Sequence, residues 1–121
     1  MVYGYEINGG TLTASGGIYG LRSISSGPVR VTDGTLTATG SPTAGSYGIY
    51  VENEGLAAVN SQIRGEGSRC GIYTGGSLTA RSSTADGYTY AYGADSQGSY
   101  GAIIAAGSIT AVDSRIIENY S

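Results

Sequence analysis

The chain has 121 residues, with six basic and nine acidic side chains, no His and a formal net charge of −3. All six basic residues are Arg and they are scattered, so the sequence lacks the basic patch that binds nucleic acids or anionic membranes. It also lacks the roughly 18 consecutive apolar residues of a membrane-spanning helix and, without His, a Ser-His-Asp or zinc site, so we expect neither a metal nor a cofactor.

One short pattern occurs five times, and each copy combines a Gly or Pro corner with two apolar stretches. The copies start at Tyr3, Gly27, Tyr47, Cys70 and Tyr100, and they contain in turn Leu12, Leu36, Leu56, Leu78 and Ile109. Those five aliphatic residues are 24, 20, 22 and 31 positions apart, which is the spacing of solenoid repeats. We therefore expect one β-solenoid domain over residues 1–121, with the five aliphatic residues stacked over one another.

Each copy is predicted to contribute three short strands. The first strands alternate inward and outward residues, and their inward positions include Ile7, Val31, Val51 and Ile104. The second strands follow a Gly-containing bend and centre on the five aligned aliphatic residues. A second turn falls at Gly16, Gly40, Asn60, Ser82 and Asp113, and the third strands then place Tyr19, Thr43, Ile63, Ala85 and Ile116 inward. The predicted fold is an all-β, single-stranded parallel β-helix of about five coils.

Tyr50 and Tyr73 fall at the same outward position of neighbouring copies. We expect their rings to stack across adjacent coils, with Ile103 in the same outward column.

The Gly or Pro corners, the small-residue interior and the Asn60-Ser61 and Asp113-Ser114 turns resemble right-handed parallel β-helices of the pectin-lyase-like class. More narrowly, the segments GGTLTASGG, DGTLTATGS and GGSLTARSS are similar to repeats of large bacterial cell-surface proteins. The resemblance covers nearly the whole chain. It implies a structural or adhesive repeat module at the cell surface or outside the cell, forming part of a longer protein.

The pectin-lyase-like class also includes enzymes that cleave polysaccharides with carboxylates in a shared cleft. The acids of this chain fall in different predicted columns, for example Glu6 in a first strand and Asp33 in a bend. We therefore expect no enzyme and no catalytic residue.

Neither end of the sequence has the atypical repeat that normally caps a solenoid. The N-terminal MVYGYEI enters the first repeat directly and does not read as a signal peptide. Uncapped ends leave strand edges unpaired, so we expect a homo-oligomer. Cys70 is the single Cys and forms no internal disulfide.

The longest insertion, residues 86–99, suggests an alternative function. It carries Tyr88, Tyr90 and Tyr92 at alternate positions, followed by Asp95. In an extended conformation the three rings lie on one side, where Tyr offers an apolar face and a polar tip to sugar rings. This predicts a carbohydrate-binding module with a glycan ligand, against the simpler interpretation that the tyrosines cover the flank of the rod.

A third hypothesis is ice binding through two rows of outward Thr and Ser side chains. The rows are formed by Thr11 and Thr13, Thr35 and Thr37, Ser77 and Thr79, and Ser108 and Thr110. They resemble the T-x-T arrays of ice-binding solenoids. Gly55 and Ala57 interrupt them, and Thr is favoured on any exposed strand.

Overall fold

The structure, a computed structural model, describes residues 5–23, 28–42, 45–89 and 101–120. Within these ranges all regular structure is β-strand, with fourteen strands and no helix. Each strand from β1 to β11 pairs in parallel with the strand three places further along the chain. Three strands therefore make one coil, and the fold is a β-solenoid of about four turns with three sheets. The prediction of an all-β parallel solenoid is confirmed.

The strands follow one another coil by coil. The first coil contains β1 (Tyr5–Asn8), β2 (Thr11–Ser15) and β3 (Tyr19–Ser23), and the second contains β4 (Val29–Thr32), β5 (Thr35–Thr39) and β6 (Tyr47–Val51). The third contains β7 (Leu56–Val59), β8 (Gln62–Gly67) and β9 (Cys70–Thr74), and the fourth contains β10 (Leu78–Arg81), β11 (Thr84–Thr89) and β12 (Gly101–Ala105). Two strands of a fifth coil, β13 (Ile109–Val112) and β14 (Arg115–Tyr120), complete the described chain.

Three sheets form the sides of the tube. The first sheet contains β1, β4, β7, β10 and β13, the second contains β2, β5, β8, β11 and β14, and the third contains β3, β6, β9 and β12. Each sheet contributes a column of large buried aliphatic side chains to the interior. The columns are Val29, Leu56 and Leu78 in the first sheet, Leu36, Ile63 and Ala85 in the second, and Leu21, Ile49, Ile72 and Ile103 in the third.

The expectation that five aligned aliphatic residues form one column is wrong. Leu12 lies opposite Leu36 in the second sheet, whereas Leu56, Leu78 and Ile109 are neighbours in the first sheet. The second coil advances 27 positions, from Val29 to Leu56, instead of the 20 that the alignment assumed. This change of register leaves the solenoid fold unaffected, because a large inward residue followed two positions later by an inward Ala fits either sheet.

The corrected register also divides the Thr rows. Thr11, Thr13, Thr35 and Thr37 lie on the second sheet, where the next strand places Gln62 and Arg64 beside the last two. Thr79 and Thr110 are neighbours on the first sheet. The two parallel rows predicted for ice binding, interrupted at Gly55 and Ala57, are therefore divided between two sheets.

Three further inward or outward assignments change. Ile103, predicted outward, lies opposite Ile72 and is buried, whereas Ile104, predicted inward, takes the place beside Tyr73. The sequence alignment sets Cys70 against Tyr100, whereas in the structure Cys70 pairs with Gly101, so the last copy shifts by one residue. Tyr19, predicted inward, is half-buried and its ring packs on neighbouring tyrosines.

A ladder of serines joins the coils at the corner between the first and second sheets. Backbone φ is positive at Asp33, Asn60, Ser82 and Asp113. This confirms the predicted turn at the last three positions. In the first two coils the turn lies at Gly9 and Asp33, rather than at the predicted Gly16 and Gly40. The serine that follows each of the last three donates its hydroxyl to the carbonyl two residues earlier, at 2.7 Å. It also accepts the backbone N–H of the preceding coil, at 3.0–3.1 Å. Buried polar groups at this corner are thus paired.

The corner between the second and third sheets is closed by glycine. A Cβ on Gly48 would lie 2.3 Å from the backbone nitrogen of Glu66, and one on Gly71 would lie 2.5 Å from that of Tyr88. The two backbones therefore touch without side chains between them. Gly48 and Ile49 are both buried, so the flanking Tyr47 and Tyr50 both face outward.

Leu56→Ala is expected to lower the free energy of unfolding by about 2–5 kcal/mol, because it opens a void in the column of the first sheet. Val59→Ala is the matched control. It changes the same strand where the side chain is 42% exposed, and we expect a cost below about 1 kcal/mol. Urea unfolding followed by circular dichroism measures both. Equal losses in the two variants would contradict the inward placement of Leu56.

Candidate functional site

The outer face of the second sheet carries a charged network centred on Arg64 of β8. The Arg64 guanidinium bonds Asp86 of β11 through Nη1 and Glu66 through Nε, the latter at 3.1 Å. Asn119 of β14 donates to the other Asp86 oxygen at 2.9 Å. Desolvation opposes the charged form, but the hydrogen bond to Glu66 and the charge of Asp86 raise the pKa of Arg64. We call these side chains, together with Tyr88, the Arg64 network.

A shallow depression of about 160 Å³ adjoins the Arg64 network. Its walls include Thr35, Thr37, Gln62 and Thr84, with Arg64 and Asp86 at one side. These groups supply hydroxyl, amide, carboxylate and guanidinium functions within one concave surface. The surface is therefore equipped to form several hydrogen bonds to a small polar ligand.

Of the four predicted site residues, the structure describes Tyr88. Tyr88 belongs to β11, so residues 86–89 continue a strand and the prediction that they start a loop is wrong. The Arg64 guanidinium lies 6.0 Å from the centre of the Tyr88 ring. Tyr90, Tyr92 and Asp95 lie outside the described residues, and their predicted role stays a prediction.

The outer face of the third sheet carries a cluster of four tyrosines, in which each ring contacts at least two others. Tyr50 and Tyr73 stack with ring centres 4.8 Å apart and planes 14° apart, which confirms the predicted pair. Tyr19 and Tyr47 form a second stack at 5.6 Å and 16°. The two stacks meet edge to face at interplanar angles of 61–74°, so the four rings form one continuous aromatic surface. We call this surface the tyrosine trough.

Arg22 occupies the first-coil end of the tyrosine trough, where it lies opposite Tyr50. Its guanidinium is 4.7 Å from the centre of the Tyr19 ring and 3.4 Å from Glu52. Burial and the neighbouring phenols of Tyr19 and Tyr73 raise the pKa of Tyr50.

The trough as a whole was missed from the sequence. The repeated segments YGLR, YGIY and CGIY, starting at 19, 47 and 70, are the signal that would have identified it.

A polar groove follows the corner between the first and second sheets. Asn60 donates to Asp33 across adjacent coils at 2.7 Å, and Asp113 and Arg115 lie at the far end. In the described parts of the chain, no group of three or more His, Cys, Asp or Glu side chains is placed to hold a metal ion.

Cys70 is fully buried and occupies the position opposite Tyr47 in the next coil. Its thiol donates to the carbonyl of Ile72 at 3.1 Å. Burial raises the pKa of the Cys70 thiol to about 12, so the thiol stays protonated. Since the thiolate is the reactive form, Cys70 is a packing residue rather than a nucleophile.

The last described coil leaves inward positions uncovered. Ile109, at an inward position of β13, is 49% exposed, whereas its neighbour Leu78 is completely buried. In the described chain β13 and β14 each pair with one strand only, so their outer edges carry free backbone groups. Glu118 of β14 accepts the backbone N–H of Ile103 at 2.9 Å, which partly closes the edge of the third sheet.

No protein-family model, curated protein or solved structure matches the chain. The parts of the chain that the structure describes include no apolar helix of bilayer-spanning length.

Cys70 gives a testable pH dependence. The thiol has a pKa of about 12 in the folded chain and about 8.5–9 in an unfolded one. The unfolded state therefore releases its proton first. The stabilising contribution of Cys70 is fully present below about pH 8.5 and is lost as the pH rises towards about 12.

The measurement is the free energy of unfolding of the wild type and of Cys70→Ala at pH 8 and pH 10. The advantage of the wild type is expected to shrink by about 1–2 kcal/mol at the higher pH. Tyrosine ionisation affects both proteins and cancels in the comparison. An advantage that does not change with pH would contradict a buried, protonated thiol.

Proposed function

We propose that this chain is a non-catalytic structural or adhesive module of the pectin-lyase-like β-helix type, working at a bacterial cell surface or outside the cell. The observation that carries the proposal is the uncovered last coil, where Ile109 stands exposed in an otherwise buried column. A solenoid whose end presents both core side chains and unpaired strand edges is suited to receive a further coil. The resemblance of its repeats to those of bacterial surface proteins supports the proposed location at the cell surface or outside the cell.

In the proposed assembly, a second copy of the chain adds to the exposed end and extends the tube. Parallel strands stack at about 4.8 Å, so each added coil lengthens the rod without changing its cross-section. Head-to-tail contacts of this kind are heterologous. They close into a ring only if the rotation that relates one copy to the next returns to the starting copy. The expected products are therefore dimers and higher oligomers that depend on concentration.

The polar chemistry of the described surface supports a role without catalysis. Asp86 and Glu66 both accept hydrogen bonds from Arg64, so neither is a free acid or base. Cys70 is buried and protonated. These features favour binding and assembly over bond cleavage.

Ile109→Lys is expected to weaken self-association, because it places a charge where the next coil would add. Val112→Lys is the matched control, since Val112 is 41% exposed but on the outward side of the same strand. Sedimentation equilibrium over a range of concentrations measures the mass of each protein. The proposal fails if the wild type stays monomeric at high concentration, or if both lysine variants dissociate alike.

A carbohydrate-binding role is the second candidate, and the Arg64 network favours it. The network combines a carboxylate, a guanidinium and an amide with the Tyr88 ring beside a small depression. Side chains of these types bind sugar hydroxyls while an aromatic ring contacts the apolar face of the sugar. The segment with Tyr90, Tyr92 and Asp95 follows directly in the sequence.

Glycan-array binding that is lost in Tyr88→Ala and in Asp86→Asn, but kept in Tyr73→Ala, would support this candidate. Tyr73 is the control because it lies on the third sheet, away from the network. Thermal unfolding establishes that each variant is folded. Binding that survives both changes at the network, or an array without any signal, would eliminate it.

A further inference from the structure

The first coil leaves inward side chains uncovered, as the last coil does. Ile7 of β1 and Leu12 of β2 are only partly buried. Their neighbours in the next coil, Val31 and Leu36, are completely buried. In the described chain β1, β2 and β3 each pair with one strand only. Both described ends of the tube are therefore open, and each lacks the neighbouring coil that covers every interior coil.

We propose that the first coil of a second copy is the partner of the last coil, with β1 lying on β13 and β2 on β14 in parallel. The register continues the ladders within the chain. Ile7 of the second copy lies over Ala111, and Leu12 lies over Ile116. This inference rests on the proposed end-to-end association, and it adds the receiving surface and the register.

The inward side chains of the first sheet are complementary in size at the two ends. One inward column begins with Ile7 and Val31 and continues with three alanines. These are Ala58, Ala80 and Ala111. The junction therefore places a large side chain on a small one, which is how successive layers of a core fill space.

Two large side chains meet at the junction in the second sheet. Leu12 over Ile116 repeats the neighbours Leu36 and Ile63, which are both buried inside the tube. The junction thus reproduces a packing that the chain already contains.

Hydrogen bonds at the corner between the first and second sheets also continue across the junction. In each of the first four coils the positive-φ residue that begins the turn donates its N–H to a carbonyl of the following coil, as Ser82 does to Val112 at 3.0 Å. The next donor in this series is the Asp113 N–H. Its acceptor is the carbonyl of Asn8 in the second copy, because Asn8 occupies the same place in its coil as Val112.

Contact between two last coils does not give this continuity. A two-fold axis across the end runs β13 antiparallel to its copy and reverses the order of the sheets around the tube. At most one sheet then faces its own counterpart, so the inward columns do not continue from one copy to the other.

The position of Glu118 is compatible with the junction. The described part of the fifth coil has no third strand, so β3 of the second copy lies two rungs, or about 9.6 Å, from β12. The Glu118 carboxylate, which accepts the Ile103 N–H at 2.9 Å, lies at this opening. The carboxylate therefore stays in contact with water while the joining coil covers the first and second sheets.

The experiment mixes two variants that each block one end. Leu12→Lys puts a charge on the first coil and leaves the last coil intact, whereas Ile109→Lys does the reverse. We expect each variant alone to be monomeric at concentrations where the wild type associates. An equimolar mixture is expected to form a dimer with one copy of each and nothing larger, because both remaining ends carry Lys. Sedimentation velocity measures the species.

Thr13→Lys is the matched control for Leu12→Lys, since Thr13 is exposed on the outward side of the same strand, and it is expected to associate like the wild type. Circular dichroism establishes that each variant is folded. A wild type that stays monomeric overturns the proposed function itself. If the wild type associates, this inference alone is overturned when either blocked variant associates by itself, or when the mixture stays monomeric.

Engineered cysteines test the register. Thr13 of the second copy lies beside Ile117, with Cα atoms about 4.8 Å apart, which a disulfide can bridge. A chain with Thr13→Cys and Ile117→Cys is expected to form disulfide-linked oligomers in air, seen on a non-reducing gel. Within one copy these positions are four coils apart, so an internal disulfide does not compete. Ser15→Cys with Ile117→Cys is the control, because a shift of two residues separates the Cα atoms by more than about 7 Å. Equal cross-linking of the two pairs would contradict the register.

Discussion

Direct contact between the backbones of the second and third sheets is the constraint on which the rest of the tube depends. At this corner Gly65 and Gly87 face Gly71 and Ala102, and a Cβ on either glycine would lie within 2.3 Å of a carbonyl oxygen. No rotamer change relieves such a clash, because the obstacle is backbone. The two sheets therefore approach each other this closely only where glycine removes the side chain.

The glycine corner determines what the third sheet shows to solvent. With Gly48 and Ile49 both turned inward, the strict alternation of a β-strand is broken, and Tyr47 and Tyr50 emerge on the same side three residues apart. The same arrangement in the neighbouring coils brings in Tyr19 and Tyr73, and the four rings meet as two crossed stacks. An interior packing requirement thus produces an exterior aromatic surface. The polar second sheet, which alternates regularly, produces the Arg64 network instead.

The sequence was sufficient for the architecture but not for the register. Spaced repeats and period-two alternation predict a parallel solenoid, and the Tyr50–Tyr73 stack followed from their equal place in the motif. Register failed because Leu36 and Leu56 have the same local surroundings, with an inward Ala two residues later, although they belong to different sheets. The length of the connection after Thr39 decides between the sheets, and it has no local signature. The repeat alignment treated Pro28 and Gly48 as equivalent corners. It therefore predicted neither the glycine contact between the second and third sheets nor the tyrosine trough that results from it.

The described end of the solenoid is asymmetric, and the asymmetry follows from single residues. In the second sheet the inward column runs Ala38, Gly65, Gly87 and then Glu118. Burying the Glu118 carboxylate at this inward position under a further coil would be costly. In the described end, Glu118 accepts the hydrogen bond from the Ile103 N–H, which a carbonyl of a further strand of the third sheet would otherwise accept. An inward charge at an edge is a recognised protection against strand addition. In the described chain the first sheet has no such group, and Ile109 is left exposed. In the proposed assembly, a further coil would therefore add to β13 first and would reach the third sheet only after Glu118 is displaced.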